Sequence, residues 1–394
     1  MQAYERTSPV ANARRWLLIL IWGTTALAIL PAVFHWVPRP PHTGPDRYLR
    51  IGFGYLVAFA IFYRIYRVEL QRLSRSQTRI LVILLFLLAS IVNNLHNANV
   101  DHASNVFGYP NWIWQIKMHD LIMQLSPSVL PHSYRFLPNS VVGWMQLARI
   151  DYESARDLYR LIFGILLFYA IYRYARLYTN YAGAIVAILL IALIYPISFE
   201  HYAGQLTDPL SHLSFVLAFF FLETEDFALL LSTLIIGSLA KETVLAMTGY
   251  YVLFCRKERN YFLKAITLCV ASATAYYGVR LLVLKGNMHY GQVSGVTLDH
   301  LLENWRDMQW PPLFLLTVGA LMPFLALGWK KTPLSLKRQA FFLLPVLFIS
   351  SLFFSWLRES RNFMPLVFVL AVSAGNYVSP YFTEGRQPEL LQKS

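Results

Sequence analysis

The stretch RILVILLFLLASIVNNLHNANVDH, residues 79–102, decides the fold class of this chain. Its first part is an apolar run of the length that one helix needs to cross a bilayer, and its polar end closes on Asp101 and His102. Similar apolar runs recur along the 394 residues, of which 56% are hydrophobic and 14% charged. A soluble globule of this size needs more polar surface. The sequence therefore predicts an all-α, polytopic integral membrane protein.

About twelve spans are predicted from the apolar runs. Their ranges are 15–34, 51–67, 79–96, 157–177, 181–199, 209–223, 227–241, 243–255, 262–284, 311–329, 339–356 and 362–379. Positive residues in short loops favour the cytoplasmic side of a membrane. With the N-terminus inside, the clusters fall in alternate loops, at Arg14 and Arg15, Arg72 and Arg75, Arg173 and Arg176, Arg256 and Lys257, and Lys330 and Lys331. We predict one domain over 1–394, made of two additional N-terminal helices in 1–78, a central module in 79–285 and C-terminal helices in 286–394.

This topology leaves two long segments outside, about 93–156 and about 285–310. In the first of them, apolar residues alternate with Lys117, His119 and Asp120 at helical spacing, which predicts a short amphipathic helix on the membrane surface. A second amphipathic helix is predicted over 139–149. Long segments of this kind usually carry function.

Three acids are placed by the topology at the outer face, each with two interpretations. Asp101 follows a span, either as the start of a solvated loop or as a general base whose pKa partial desolvation raises. Asp208 precedes the sixth span as a helix cap, or pairs with His212 four residues later as ligands of a divalent metal. Glu242 and Lys241 interrupt an apolar stretch, as a tight turn or as the wall of a polar cavity.

Cationic residues at the same face suggest a phosphate ligand. Arg358 and Arg361, with Glu359 between them, follow the eleventh span against the positive-inside trend. Guanidinium groups bind phosphate oxygens through paired hydrogen bonds, whereas snorkelling to lipid headgroups is the competing explanation. Arg135 and Lys241 add charge to this face and are predicted to bind the phosphate as well. Candidate substrate contacts come from the outer segments and from the acids' neighbours, namely His102, His212, Glu359, His289 and Tyr290.

Several classes of protein are disfavoured by what the sequence lacks. The net charge of +13 is spread between apolar runs and forms no single stripe, which argues against nucleic-acid binding. The chain contains no phosphate-binding glycine loop, nucleophile elbow or Cys-x-x-Cys motif. An internal repeat of the kind typical of transporters is also missing.

In its order of motifs the chain resembles the C-type membrane glycosyltransferase superfamily, which includes protein mannosyltransferases and aminoarabinose transferases. The resemblance covers about 80–285. It rests on an acid after a span that leads into a long outer segment, on an outer acid before a helix, and on a charged pair between apolar runs. The residues concerned are Asp101; YRFLP at 134–138 followed by DYESAR at 151–156 and by Arg173 and Arg176; Asp208; and Lys241 with Glu242.

The resemblance implies transfer of a sugar from a polyprenyl-phosphate donor to an acceptor at the outer face. It implies that the acid of the first outer segment, Asp101, is the base of an inverting displacement, although Asp120 satisfies the same order. Asp208 and Glu242 are predicted as further catalytic residues, which orient the sugar or assist the base. A bacterial inner membrane with a periplasmic active site is the expected location, a divalent metal is a possible cofactor, and the acceptor stays open. The alternative is a transporter or flippase for a lipid-linked glycan or another anionic solute.

Overall fold

The structure is a computed structural model, and its description covers residues 74–102, 105–106, 108–129, 131–199, 206–284 and 297–382. The first two predicted spans, 15–34 and 51–67, lie outside the described residues. The α-helices of the described part are α1 Arg75–His96, α2 Asn111–Met123, α3 Phe136–Leu147, α4 Tyr152–Ala175, α5 Tyr181–Ile194, α6 Thr207–Glu223, α7 Phe227–Ser238, α8 Ala246–Phe254, α9 Tyr261–Leu284, α10 Leu298–Arg306, α11 Trp310–Phe314, α12 Met322–Leu327, α13 Leu334–Phe354 and α14 Met364–Val378.

Shorter helical turns connect several of these helices. A π-helical turn, Asn97–His102, continues α1, and 3-10 turns occur at Tyr195–Phe199, Glu242–Leu245 and Ser360–Phe363. Two-residue strands, β1 Asn105–Val106 and β2 Tyr109–Pro110, pair in antiparallel fashion just before α2. The described part of the chain is therefore almost wholly helical, as predicted.

Most predicted spans match helices within a few residues, and two differ for a local reason. The predicted span 311–329 is broken into α11, a π-helical turn Leu315–Gly319 and α12, with prolines at the start of both helices. Proline lacks the N–H group that a continuous helix needs at that position. The predicted span 243–255 is shortened to α8, because the 3-10 turn Glu242–Leu245 precedes it.

Helices of the bundle alternate in direction, as contacts between their ends show. The hydroxyl of Tyr181, at the start of α5, donates to the carbonyl oxygen of Gln77, at the start of α1, over 3.1 Å. Just past the end of α4, the hydroxyl of Tyr178 lies 3.2 Å from that of Ser335 at the start of α13. We call this end of the bundle, which carries Arg176, the basic end; Arg14, Arg15 and Arg72 of the predicted cytoplasmic clusters lie outside the described residues. The opposite end, where α4, α6 and α14 begin, is called the cavity end.

Close packing of α5 against α14 forms the centre of the bundle. A Cβ atom added at Gly183 would lie 2.6 Å from the carbonyl oxygen of Gly375. Small residues allow two helix backbones to approach in this way, which is a common packing device between membrane helices. The first twelve residues of α14, Met364 to Gly375, are all buried. The helix thus lies inside the protein, shielded from the surroundings along most of its length.

Within the described part of the chain, five helical segments are long and apolar enough to cross a membrane, namely Ser76–His102, Tyr152–Ala175, Tyr181–Phe199, Tyr261–Leu281 and Leu334–Phe354. Large apolar side chains are exposed on their outer faces, among them Phe262 at 79% and Leu193 at 73%. Exposed apolar residues in such number along a span fit a hydrocarbon surrounding. The protein therefore has the character of a membrane protein, and a total of twelve spans stays a prediction.

Helices are present as α2 and α3 at the places where two amphipathic helices were predicted in the first long segment, but α2 lacks a clear apolar face and buries Asn111, Gln115 and His119. Their position on a membrane surface stays a prediction. α2 buries polar residues at the cavity end: Gln115 reaches Asp101, and His119 lies between the amide side chains of Asn139 and Gln146, 3.0 and 2.8 Å away. The segment therefore packs onto the ends of α1 and α4 and helps to build the polar end of the bundle.

Candidate functional site

A cavity of about 760 Å³ opens at the cavity end of the bundle. One wall is charged and the other is apolar. The charged wall combines side chains from the loop before α3, the turn after α7 and the turn before α14, namely His132, Arg135, Lys241, Glu242, Glu359 and Arg361. The apolar wall comes mostly from the last turns of α13 and includes Val346, Leu347, Phe353 and Phe354. A ligand in this cavity would meet ions at one side and hydrocarbon at the other.

Packing of α7 against α6 positions Lys241 and Glu242. A Cβ atom added at Gly237, near the end of α7, would lie 2.7 Å from the side chain of Ser214 in α6, so only glycine allows this approach. The chain then extends at Lys241, with φ −160° and ψ 120°, and turns into the 3-10 helix that begins at Glu242. This geometry brings Lys241 beside the first turn of α6, where Asp208 lies.

Asp208 is surrounded by cations. Its Oδ2 accepts from Nη1 of Arg361 over 3.1 Å, and its Oδ1 lies 3.5 Å from Nζ of Lys241. The interpretation of Asp208 as a helix cap is wrong, because the cap residue of α6 is Leu206, which forms no capping hydrogen bond. Nζ of Lys241 also donates to Oδ1 of Asn362 over 2.9 Å. Burial lowers the pKa of Lys241, while the charge of Asp208 opposes that shift.

Arg135 and Glu242 form a two-pronged ion pair on the charged wall. Nε of Arg135 donates to Oε2 over 2.9 Å and Nη2 to Oε1 over 2.7 Å. Burial raises the pKa of Glu242, but the charge and hydrogen bonds of Arg135 outweigh it and lower that pKa to about 2. Both oxygens of Glu242 are therefore occupied by one guanidinium group.

Glu359 is held differently. Its Oε2 accepts three hydrogen bonds, from Oγ of Ser355 over 2.9 Å, from Nη2 of Arg361 over 3.1 Å and from Nδ2 of Asn362 over 3.3 Å. Among the residues that the structure describes, none donates to Oε1. Burial raises the pKa of Glu359, and the positive charges of Arg361 and Lys241 outweigh burial, so the pKa lies below its ordinary value. The carboxylate is thus ionised at neutral pH, with one oxygen anchored.

His212 lines the cavity, but its ring is engaged on both sides. Its Nε2 lies 3.3 Å from the carbonyl oxygen of Arg361, and its Nδ1 lies 2.9 Å from the hydroxyl of Tyr195. A carbonyl oxygen can only accept, so Nε2 carries the proton and Nδ1 accepts from the tyrosine. With Asp208 facing Arg361 and Lys241, the pair predicted as metal ligands does not fit that role. The described residues contain no group of three or more His, Cys, Asp and Glu that could hold a metal ion.

Asp101 lies at the cavity end but does not line the cavity. Its side chain is fully buried and is held between two arginines of α4, with Oδ2 3.1 Å from Nη2 of Arg156 and 2.5 Å from Nη1 of Arg160. Nε2 of Gln115 donates to Oδ1 over 2.6 Å. This ion cluster joins α1, α2 and α4, and it favours a structural role for Asp101. The assignment of Asp101 as the base stays a prediction to which the geometry adds no support.

The remaining predicted residues are dispersed. Asp120, the alternative base, is half-buried on α2 and does not line the cavity, and His102 is exposed. Arg358 lies at the rim, where its Nη1 contacts Oδ2 of Asp307 over 3.2 Å. The predicted covering residues His289 and Tyr290 lie outside the described residues.

Some residues of this end could not be singled out from the sequence. Arg280 of α9 lies between the rings of Tyr134 and Tyr276, 4.5 and 3.3 Å from their centroids, behind the cavity wall. His132 lines the cavity, and burial together with the charges of Arg135 and Arg361 lowers its pKa to about 3. The one signal for Arg280 in the sequence is its place near the end of an apolar helix, where a charged residue is rare and often functional.

The predicted site residues that meet at the charged wall are Arg135, Asp208, His212, Lys241, Glu242, Glu359 and Arg361. Asp208 contacts that wall from behind, through Arg361 and Lys241. The charged residues expected to converge at one end therefore do so in part, while Asp101 belongs to a separate buried cluster. Comparisons of this chain with protein-family models, curated proteins and solved structures found no match.

Proposed function

We propose that this protein is a membrane glycosyltransferase that moves a sugar from a polyprenyl-phosphate donor to an acceptor, with inversion at the anomeric carbon. The observation that supports it is the two-sided cavity, which is charged on one wall and apolar on the other. A lipid-linked sugar phosphate has the same division, with a phosphate and a sugar at one end and an isoprenoid chain at the other.

The charged wall suits a phosphodiester. Arg135, Lys241 and Arg361 supply three cations, and Asp208, Glu242 and Glu359 hold them in place at the distances given above. Before the donor binds, each cation is paired with an acid, because an unpaired charge in this partly buried wall would destabilise the protein. During transfer the leaving phosphate gains negative charge, and cations already fixed nearby stabilise that charge without reorganising.

The apolar wall suits the lipid part of the donor. Val346, Leu347, Phe353 and Phe354 follow the last turns of α13, and Phe354 is 63% exposed at the outer surface. An isoprenoid chain along this wall would exchange lipid contacts for protein contacts. The phosphate would then lie beside the charged wall, which we propose to be at headgroup level.

The proton of the acceptor hydroxyl needs a base beside the reacting carbon. Neither Asp101 nor Asp120 lines the cavity, so the carboxylates of the cavity wall are better placed for this step than the predicted bases. Groups for binding, orientation and proton transfer are all available from side chains already in the cavity.

The location proposed for the protein is a bacterial inner membrane, crossed about twelve times, with the cavity at the periplasmic side. The described clusters predicted to be cytoplasmic, at Arg173 and Arg176, Arg256 and Lys257, and Lys330 and Lys331, lie at the basic end, which supports this orientation. Described side chains are packed together at that end: the hydroxyl of Tyr174 hydrogen bonds to Gln339, whose Nε2 donates to Glu223 over 2.9 Å. A cavity at one end and a packed opposite end support a transferase more than a transporter or flippase.

The test is release of polyprenyl phosphate from a polyprenyl-phosphate mannose donor, and from a panel of other sugars, by the purified protein in lipid nanodiscs. We expect Lys241→Met to lower the rate at least tenfold, because it removes a cation from the charged wall. The matched control is Lys264→Met at the basic end, where Nζ of Lys264 pairs with Oε2 of Glu258 over 2.7 Å. Movement of intact donor across proteoliposomes without any release would support the transporter and reject the proposal.

A further inference from the structure

We propose that Glu359 is the group that takes the proton from the acceptor hydroxyl. This inference rests on the proposed transfer reaction and adds the identity of its base. It departs from the assignment suggested by the sequence, which places the base in the first long outer segment.

The first argument concerns which acids can reach the reaction. Among the described residues that line the cavity, the carboxylates are those of Glu242 and Glu359. Asp208 lies behind the wall, with its two oxygens turned to Lys241 and Arg361. Asp101 is fully buried in its own ion cluster. A base must lie within hydrogen-bonding distance of the proton that it removes, directly or through one water molecule.

The second argument concerns which of these two carboxylates has an oxygen available. Arg135 occupies both oxygens of Glu242. In Glu359 the donors Ser355, Arg361 and Asn362 all act on Oε2, and no described residue donates to Oε1. The asymmetry fixes the orientation of the carboxylate through one oxygen and leaves the other for a ligand. A base held in this way is positioned before the acceptor binds.

The reaction step balances with this assignment. The acceptor oxygen forms a bond to the anomeric carbon while the bond from that carbon to the phosphate oxygen breaks, and its electron pair leaves with the phosphate. The proton of the acceptor hydroxyl passes to Oε1 of Glu359. Arg361 contacts Glu359 and Asp208 at once, so its cation lies near both the base and the charged wall. The protonated Glu359 then returns its proton to water in the cavity.

Ser355 and Asn362 are positioning residues in this scheme. Nδ2 of Asn362 also donates to Oγ of Ser355 over 3.1 Å, and Oδ1 of Asn362 accepts from Lys241. The two side chains therefore link the base to a cation of the phosphate-binding wall. Both follow the end of α13, which ties their position to the helix that forms the apolar wall.

The experiment compares two nucleophiles on the same donor. Glu359→Gln keeps the size of the side chain and one oxygen for the three donors, but its amide takes up no proton. With polyprenyl-phosphate mannose as donor, we expect hydrolysis by water to fall at least about 100-fold. Azide carries no proton to remove, so mannosyl azide formation by the variant should stay within about threefold of the wild-type rate.

Three outcomes overturn a specific part of this reasoning. Wild-type protein that releases nothing from any donor rejects the proposed function itself. Wild-type activity with equal hydrolysis by Glu359→Gln rejects the base assignment alone. Loss of both water and azide reactions in Glu359→Gln protein that is correctly folded also rejects it, because a group that acts only as the base is not needed for the azide reaction.

Two further variants keep the test decisive. Glu242→Gln disturbs the position of Arg135, so we expect it to lower the water and azide reactions together. Glu359→Asp retains the charge that balances Arg361 and provides a folded protein if the glutamine variant is unstable. Its carboxylate is withdrawn by one methylene group. We therefore expect hydrolysis by water to fall while mannosyl azide formation is kept, with a smaller loss of hydrolysis than in Glu359→Gln. An aspartate variant that slows both reactions equally contradicts the inference.

Discussion

Replacing Arg361 by Gln should destabilise the protein by about 3 kcal/mol. This value is at the lower end of the losses found when one partner of a buried ion pair is removed. Its side chain is 7% exposed and contacts both Asp208 and Glu359 over 3.1 Å. Two unit charges about 4 Å apart interact by about 4 kcal/mol at an effective dielectric constant of 20. Lys241 continues to balance Asp208 from 3.5 Å, and solvation of the cavity offsets part of the loss.

The measurement is the free energy of unfolding in mixed micelles as the fraction of dodecyl sulfate is raised. Arg358→Gln is the matched control: its side chain is 36% exposed and pairs with Asp307 at the rim. Exposed pairs contribute about 0–1 kcal/mol, so the control should change little. Adding Asp208→Asn to Arg361→Gln should recover at least about 1 kcal/mol, because the two residues interact directly. Equal losses in Arg361→Gln and Arg358→Gln would refute the reasoning.

Four other predictions follow from individual contacts. Gly183→Val should prevent the close approach of α5 and α14 and reduce the yield of folded protein, measured by size-exclusion chromatography. Gly278→Val is the control and should be tolerated, because an added Cβ atom meets nothing within 4 Å at that position. Asn304→Ala removes donors to three carbonyl oxygens around the end of α13 and an acceptor for the N–H of Leu357, so proteolysis near α10 should accelerate. The pKa of His132 is lowered from 6.5 to about 3, so between these pH values the unfolded chain binds a proton that the folded chain does not. The free energy of unfolding, measured at each pH, should therefore fall as the pH drops from about 6.5 towards 3, and it should fall less steeply in His132→Asn. Asp101→Asn leaves Arg156 and Arg160 without their shared carboxylate, so its thermal melting temperature should be lower than that of the wild type. A variant that folds with unchanged stability but cannot transfer sugar would instead support Asp101 as the base.

Asp101 and Glu359 have different surroundings in the structure, which shows that topology alone does not assign a site. Both acids were predicted at the same face, and both lie at the cavity end. Their environments differ because Asp101 lies opposite two arginines one helical turn apart on α4, whereas Glu359 is anchored through a single oxygen. Nothing in the runs around Arg156 and Arg160 indicates whether their guanidinium groups turn towards α1 or towards a cavity.

The sequence alone determined what depends on single segments of the chain. Apolar runs, their lengths and the charges at their ends are local quantities, so they predicted the membrane class, most helix bounds, the presence of helices α2 and α3 and the end of the bundle where each acid lies. Pairing of side chains is not local: Arg135 meets Glu242 across 107 positions and Arg361 meets Asp208 across 153. Those contacts depend on how the helices pack, including the approach that Gly237 allows between α7 and α6. Only the tertiary structure therefore decided which charges share the cavity and which neutralise each other in the interior.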